Sequence, residues 1–358
     1  MTDPFDRDVW SVLGMPLDNL TLAEAVKRIE LAIERGERLS FVTPNVNILV
    51  RALKDPTAMA QIVRTDMSLA DGAPVVWLAR QLGMPLQERV AGSDLFEAMR
   101  RDTRPEALPI RVFFFGGRDG AAEAACAVLA AEAGRLIPAG WHNPGFGTVE
   151  EMTSPEIQSK IKAAKPDFIV VSLGAAKGQA WIEANLEALE APVIAHLGAV
   201  VDFVAGTISR APHLVSRLGL EWVWRIFAEP SLWKRYWRDG RALLGLVGQR
   251  LNRLKRIGKA PSEPQKLEIS SHTSEPVHTL TLRGDAVHAS VPQLNLAFRE
   301  AVVSANQLEI DLQQVRALDA AALGQIHLLQ HHFKADTSRL TLQIPAHLRP
   351  ALSAAGMS

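Results

Sequence analysis

The sequence predicts an α/β protein: a parallel sheet between helices, then a helical appendage, then a second, smaller α/β domain. Three observations carry this. Short apolar runs such as Arg111–Phe115 (RVFFF) and Phe168–Leu173 (FIVVSL) alternate with amphipathic stretches through the first half of the chain, the pattern of strands covered on both faces. Residues 213–259 are rich in Arg, Lys and Trp with almost no strand signal. After a linker with two prolines, KAPSEPQ (259–265), strand-like alternation resumes. The divisions fall at 1–207 for the core, 208–260 for the appendage and 266–358 for the small domain. A chain of 358 residues suits two domains at about 150 residues each.

In order along the chain, Ser40–Thr43 reads as a strand followed by a helix over Asn45–Leu53. Met67–Ala70 reads as a strand followed by a helix over Pro74–Leu82. Arg111–Phe115 runs through Gly116-Gly117 into an Ala-rich helix, Ala121–Ala133. Phe168–Leu173 runs through Gly174 into a helix near Gln179–Leu189, and Val193–His196 starts a further strand. In the small domain the strands are LEISSH, HTLTLRG, QLEIDLQQV and RLTLQIP, with helices near 291–304 and 320–334. The linker reads as a boundary crossed by few contacts.

Composition excludes several classes. Lys plus Arg and Asp plus Glu are both 39, and this neutrality argues against a nucleic-acid coat. At 47% hydrophobic and 22% charged the chain is globular, not disordered. One cysteine, Cys126, rules out an internal disulfide framework or a multi-cysteine zinc site. Cys126 reads as a core residue, not a nucleophile. The polar start MTDPFDRDVW lacks a secretory pattern, and no run of about 18 apolar residues could span a membrane. The single cysteine also fits a reducing, cytoplasmic compartment.

Four constellations could carry chemistry. Thr43-Pro44-Asn45 and Asp71-Gly72 stand at successive strand ends, where open α/β sheets bind ligands. Asp71 is placed as a general base; the competing reading is a cap for the helix that follows. Arg89, in ERVAGSD (88–94), has the planar fork that grips phosphate, though Asp94 could simply cap a helix. Gly116-Gly117 between a buried strand and a helix lets a diphosphate approach a helix N-terminus. Last, residues 231–259 carry nine Lys or Arg against one acid, Asp239, with Trp233, Tyr236 and Trp237 among them. Basic and aromatic residues on an amphipathic helix favour an anionic membrane surface; the alternative is a helix packed on its own domain. Metal chemistry has little support. The sole Asp-x-Asp, Asp6-Arg7-Asp8, is not at a strand end, and adjacent His331-His332 point in different directions.

An ordered set of motifs resembles one family: VLGMPLDNLTLAEAV (12–26), TPN (43–45), LADG (69–72), ERVAGSDL (88–95), FFGG (114–117), the Pro144-Gly145-Phe146 turn, LGAAKGQAWI (173–182), GAVVDFVAG (198–206), RAP (210–212) and LGLEWVWR (218–225). The set is similar to the WecG/TagA/CpsF glycosyltransferases and covers roughly residues 10–240. The resemblance implies a Rossmann-like core and inverting, metal-independent transfer from a UDP-sugar to a polyprenyl-diphosphate-linked saccharide, in exopolysaccharide or capsule synthesis, without a cofactor. N-acetylmannosamine, its uronic acid, glucose and glucuronic acid are all sugars used within it. By the same resemblance Asp71 is the base, Arg89 faces the diphosphate, and Thr43 and Asn45 line the pocket with Gly116 and Gly117. Arg225 and Arg235 belong to an appendage that closes over the site and touches the membrane. Two positions depart from the family. Its Pro-Lys-Gln-Glu is Ala176-Lys177-Gly178-Gln179 here, so a glutamine contact is lost or passes to Gln179, and an arginine is replaced by Leu232. These departures favour the alternative of an impaired transferase acting as a regulatory binding protein.

The segment LEIDLQQVRALDAAALGQIHLLQ (308–330) resembles a STAS domain. Where STAS switches often carry serines, this chain has Asp319-Ala320-Ala321-Ala322. Without the hydroxyls the domain reads as a separate docking or regulatory module for a protein partner, not a phospho-switch.

Overall fold

The computed structural model describes residues 4–209, 221–258, 263, 265–304, 306–333, 336–354 and 357. RAP, the opening of LGLEWVWR and most of the KAPSEPQ linker lie outside the described residues.

The chain opens on a hairpin, β1 (Val9–Val12) and β2 (Met15–Asp18), paired antiparallel. Leu13 and Gly14 between them both have positive φ, the backbone that two-residue hairpin turns require. The core then alternates: α1 (Leu22–Arg35), β3 (Leu39–Val42), α2 (Val46–Lys54), α3 (Pro56–Val63), β4 (Met67–Ser68), α4 (Ala73–Gln81) and α5 (Gly92–Arg100). It continues with β5 (Ile110–Gly116), α6 (Ala121–Glu132), β6 (Leu136–His142), α7 (Pro155–Ala164), β7 (Phe168–Ser172), α8 (Ala175–Asn185), β8 (Val193–His196) and α9 (Val200–Val204). The six strands β3 to β8 form one parallel sheet in the order β4-β3-β8-β7-β5-β6. Successive residues of a strand face opposite sides. Val112 and Phe114 pack with α1, α5, α6 and α9, whereas Phe113 and Phe115 pack with α8 and its buried Trp181. The predicted α/β core is therefore present. Helix α8 starts four residues earlier than expected, because Gly174 is itself the N-cap; β6 and the β1–β2 hairpin were not foreseen.

The appendage is α10 (Glu221–Ala228) and α11 (Trp233–Gly258). The small domain holds β9 (Glu268–Ser274), β10 (Val277–Ala286), α12 (Val291–Ser304), β11 (Gln307–Leu318), α13 (Ala320–His332), β12 (Leu340–Gln343) and α14 (Arg349–Ala354). Its sheet order is β12-β11-β10-β9, with β9 antiparallel and the other pairs parallel.

The expectation of few contacts across the linker fails. One continuous apolar core joins Val9, Trp10, Leu49 and Leu53 of the transferase part to Leu251 and Leu254 of α11 and to Phe298, Leu323, Leu348 and Leu352 of the small domain. Helix α13 lies directly on β1. A Cβ added to Gly324 would fall 1.8 Å from the Val9 carbonyl oxygen, so only glycine allows this backbone approach. Polar contacts follow the same seam. Ser11 Oγ lies 3.1 Å from His327 Nε2, Asn295 donates to the Phe5 carbonyl at 2.9 Å, and His331 meets Asp66 at 3.1 Å. The physical reason is apolar excess: the two-stranded hairpin cannot bury its own side chains, and α13 covers them. Ala320, Ala321 and Ala322 are buried, so they do not offer a free docking face.

Candidate active site

The carboxyl ends of the central strands frame a cleft of about 840 Å³. Its floor is the β5–α6 turn (Gly117, Arg118, Asp119) and the β7–α8 turn (Ser172, Leu173, Gly174) with the first turn of α8. Gly116 and Gly117 hold φ of 87° and 100°, which a side chain would strain. A Cβ on Gly116 would also lie 2.8 Å from the Ser172 carbonyl oxygen. The chain can thus fold back tightly, with Gly117 N donating to Ser172 O at 2.8 Å. Neither α6 nor α8 has a side-chain N-cap bond, so first-turn N–H groups remain for a ligand.

The cleft is cationic. Arg51, Lys54, Arg118, Lys177 and Arg238 line it, against Asp119 and Asp239. Both acids are engaged: Asn143 donates to Asp119 at 2.9 Å and Asn47 donates to Asp239 at 2.8 Å. This charge pattern suits a di-anion held by guanidinium groups. Arg118 also pairs with Glu229 at 2.7 Å and lies 3.9 Å from Asp202. Burial pushes the Asp202 carboxyl above its ordinary value, against the pull of Arg118. Arg225 stands over the Phe203 ring at 5.9 Å, beside this cluster.

Asp71 and Arg89 come together at the neighbouring corner, over β3 and β4. The backbone N–H of Asp71 donates to Pro44 O at 3.0 Å, and Val90 N donates to Ala70 O at 3.0 Å, so three of the sequence motifs meet there. Arg89 lies 3.8 Å from Asp71 and 2.6 Å from Asp94. The N-cap position of α4 is held by Gly72, one residue beyond Asp71. Thr43 is buried, beneath the start of α5; a Cβ on Gly92 would approach its Oγ1 to 3.1 Å. Asn45 caps α2, accepting from Asn47 N and Ile48 N at 3.1 and 3.2 Å. Helix α2 is the shared wall, since Asn47, Val50, Arg51 and Lys54 line the cleft.

Two expected residues sit elsewhere. Gln179 turns away from the cleft into a small cavity beneath α2, beside Arg51, Gln61 and His196, because only the first turn of α8 faces the ligand side. Arg235 lies over the ring of Tyr236 at 5.4 Å, and it is Arg238, almost one turn on, that lines the cleft. The departure at Gly178 has a packing cause. The His196 ring fills the place of a side chain there, 2.1 Å from where a Cβ would be. His196 Nε2 lies 2.7 Å from the Leu173 carbonyl, which can only accept, so this nitrogen carries the proton. Burial, helped by Arg51, holds the His196 pKa below its ordinary value.

The sequence reading missed Asn47, Arg51, Lys54, Arg118, Lys177 and Arg238. Signals were present: 47, 51 and 54 share one helix face, and Arg118 directly follows the glycine turn. Cys126 is no nucleophile; burial pushes its thiol up to about 11. Among the described residues, no group of three or more His, Cys, Asp or Glu is placed to hold a metal ion.

The fold is a parallel α/β sheet with a cation-lined cleft at the carboxyl ends of its strands. Residues 10–256 match the model of the Glycosyl transferase WecG/TagA/CpsF family, and the chain belongs to that family. Residues 270–358 match the Mlab, STAS domain. A relative in Bacillus spizizenii, named N-acetylglucosaminyldiphosphoundecaprenol N-acetyl-beta-D-mannosaminyltransferase, is 30% identical over 203 residues, covering 57% of this chain and 76% of its own. A Staphylococcus aureus (strain NCTC 8325) protein of the same name is 28% identical over 229 residues, covering 63% and 86%.

Proposed function

We propose that this glycosyltransferase moves a hexose from a UDP-sugar to a polyprenyl-diphosphate-linked saccharide, with inversion and without a metal, in cell-surface polysaccharide synthesis. The observation that supports the reading is Asp71: an acid just past a strand end, one residue before the N-cap of α4, beside Arg89 and next to a cleft lined by cations. Asp71 takes the proton of the acceptor hydroxyl as its oxygen attacks the sugar C1. The bond from C1 to the UDP oxygen breaks, and the charge left on the diphosphate is met by Arg118, Lys177 and the N–H groups at the α8 N-terminus. Arg89 and Arg225 hold the surrounding acids and supply further positive potential. Because His196 explains Gly178, that departure does not argue for lost activity.

The reaction is tested by incubating the protein with UDP-N-acetylmannosamine, UDP-glucose and their uronic acids, plus undecaprenyl-diphosphate-linked N-acetylglucosamine. Acceptor-dependent UDP release from one donor is expected. No release from any donor would leave the regulatory reading standing.

The same reading puts the enzyme on the membrane through its appendage. No helix among the described residues is long and apolar enough to cross a membrane. Phe227, Trp237 and Leu244 are instead 78%, 64% and 80% exposed, among basic residues, the composition of an interfacial helix. Flotation with anionic vesicles should fall severalfold for Trp233→Ala/Trp237→Ala, and should weaken with salt as charges are screened. Unchanged flotation would place the contact elsewhere.

A further inference from the structure

We propose that the C-terminal domain is a clamp for transfer, holding α11 so that Asp239 fixes Asn47 in the cleft wall; Asp239 is then a positioning residue. This rests on the reading of the cleft as the donor site.

Asp239 is the one acid in α11, yet it is only 6% exposed while most basic residues of that helix face solvent. Burying a carboxylate is costly unless it is hydrogen-bonded. Here it accepts from Asn47 Nδ2 at 2.8 Å, with Arg238 Nε 3.7 Å from its other oxygen. Asn47 lies in the first turn of α2, the helix that carries Arg51 and Lys54 into the cleft. At the far end of α2, Arg250 donates to the Leu53 carbonyl at 3.1 Å. Helix α11 therefore grips α2 at both ends.

The small domain grips α11 in turn. Val247, Leu251 and Leu254 are buried in the core that contains Leu348 and Leu352, and α11 packs on α14 and β11. Helix α11 itself links the two contacts, Leu254 in the core shared with Leu352 at one end and Asp239 on Asn47 at the other. The surface around Asp319–Gly324 is taken by the transferase's own hairpin, so the domain's partner is its own chain. Small displacements of charged groups around a reacting diphosphate are expensive in rate, and this link gives the small domain control of such displacements.

The test uses full-length Asp239→Ala, Asp239→Asn and Leu352→Ala, with Leu352→Val as the milder form if the alanine variant does not fold. Turnover and donor KM are read with acceptor present, and hydrogen exchange is read over residues 46–54. Asp239→Ala should lower kcat roughly tenfold and speed exchange in α2, a coupling of usual size. Asp239→Asn keeps an acceptor oxygen for Asn47 and should stay within about threefold. The Leu352 variant, remote from the cleft, should move both readouts in the same direction as Asp239→Ala. Unchanged exchange and kcat in Asp239→Ala would overturn the proposal. So would an Asp239→Asn enzyme as slow as the alanine variant, since that would make the charge itself act on substrate. If the wild type transfers no sugar, the functional reading fails, while exchange over 46–54 still decides whether the clamp exists.

Discussion

Two aspartates in this molecule stand at the same local position, between the end of a parallel strand and the start of a helix, and have different fates. Asp319, after β11, is a helix cap. Its Oδ1 accepts from Ala322 N at 2.9 Å and its Oδ2 from His288 N at 2.7 Å. Burial raises its pKa above the ordinary value, against those N–H groups. Asp71, after β4, leaves the cap to Gly72 and faces Arg89 instead. Gly72, at φ 87°, takes the N-cap of α4, so that helix starts one residue further from Asp71 than α13 does from Asp319. An aspartate at a strand end is thus ambiguous by itself; the residue after it decides whether it is the N-cap of the next helix.

The sharpest way to break this comparison is to neutralise each acid. Asp71→Asn should lower turnover by about two to four decades, the share of a general base, and leave thermal stability nearly unchanged because Gly72, not Asp71, is the N-cap residue of α4. Acceptor-dependent UDP release and a melting curve on one preparation measure both. Turnover within a factor of a few would return Asp71 to a structural role.

A second prediction concerns the seam on which Asp319's helix sits. Burial pushes the His327 imidazole down to about 4, with Ser11 and Gln330 on its two nitrogens. A histidine with a depressed folded pKa takes up protons mainly on unfolding. Stability is then full above the ordinary value near 6.5 and is lost as pH falls from there toward 4. The loss by pH 5 is about 2 kcal/mol relative to pH 7. Urea unfolding of wild type and His327→Gln at both pH values gives the test. The variant, which cannot titrate there, should lose about 2 kcal/mol less; equal losses would show that His327 is not the acid-sensitive group of the seam.

Much of this was readable beforehand, and what was not has common causes. Strands such as Phe168–Ser172 are apolar throughout because both faces are covered, so pattern alone locates them. The motifs at 43–45 and 69–72 follow strand ends, and the one at 88–91 folds back from the loop between α4 and α5 to meet them. Residues whose role depends on tertiary neighbours were less legible. Gln179 and Arg235 fall a fraction of a helical turn from the cleft, which boundary errors of a few residues cannot resolve. Gly178 looked like a loss until His196, eighteen positions on, was seen to fill its space. The packed-helix reading of 231–259 holds for the second half of one helix, and the first half is exposed. Positions 233, 237, 244 and 251 share a face, exposed at Trp233, Trp237 and Leu244 and covered at Leu251 where the small domain begins to pack.

The smallest effect returns to Asp319. Asp319→Ala removes an N-cap and leaves the His288 N–H without its carboxylate. Such changes cost about 1–2 kcal/mol. The loss should appear in global unfolding, because α13 packs against both α12 of the small domain and β1; a free-standing small domain would melt in a separate step. Turnover of the folded fraction should stay within about twofold, since Asp319 touches none of the cleft residues. Differential scanning calorimetry on the full chain separates the cases. One lowered transition would show that the cap supports a single cooperative unit. Two transitions, with only the second shifted, would show that the hairpin and α13 part before the transferase core unfolds, and the shared core would then be too weak to act as one body.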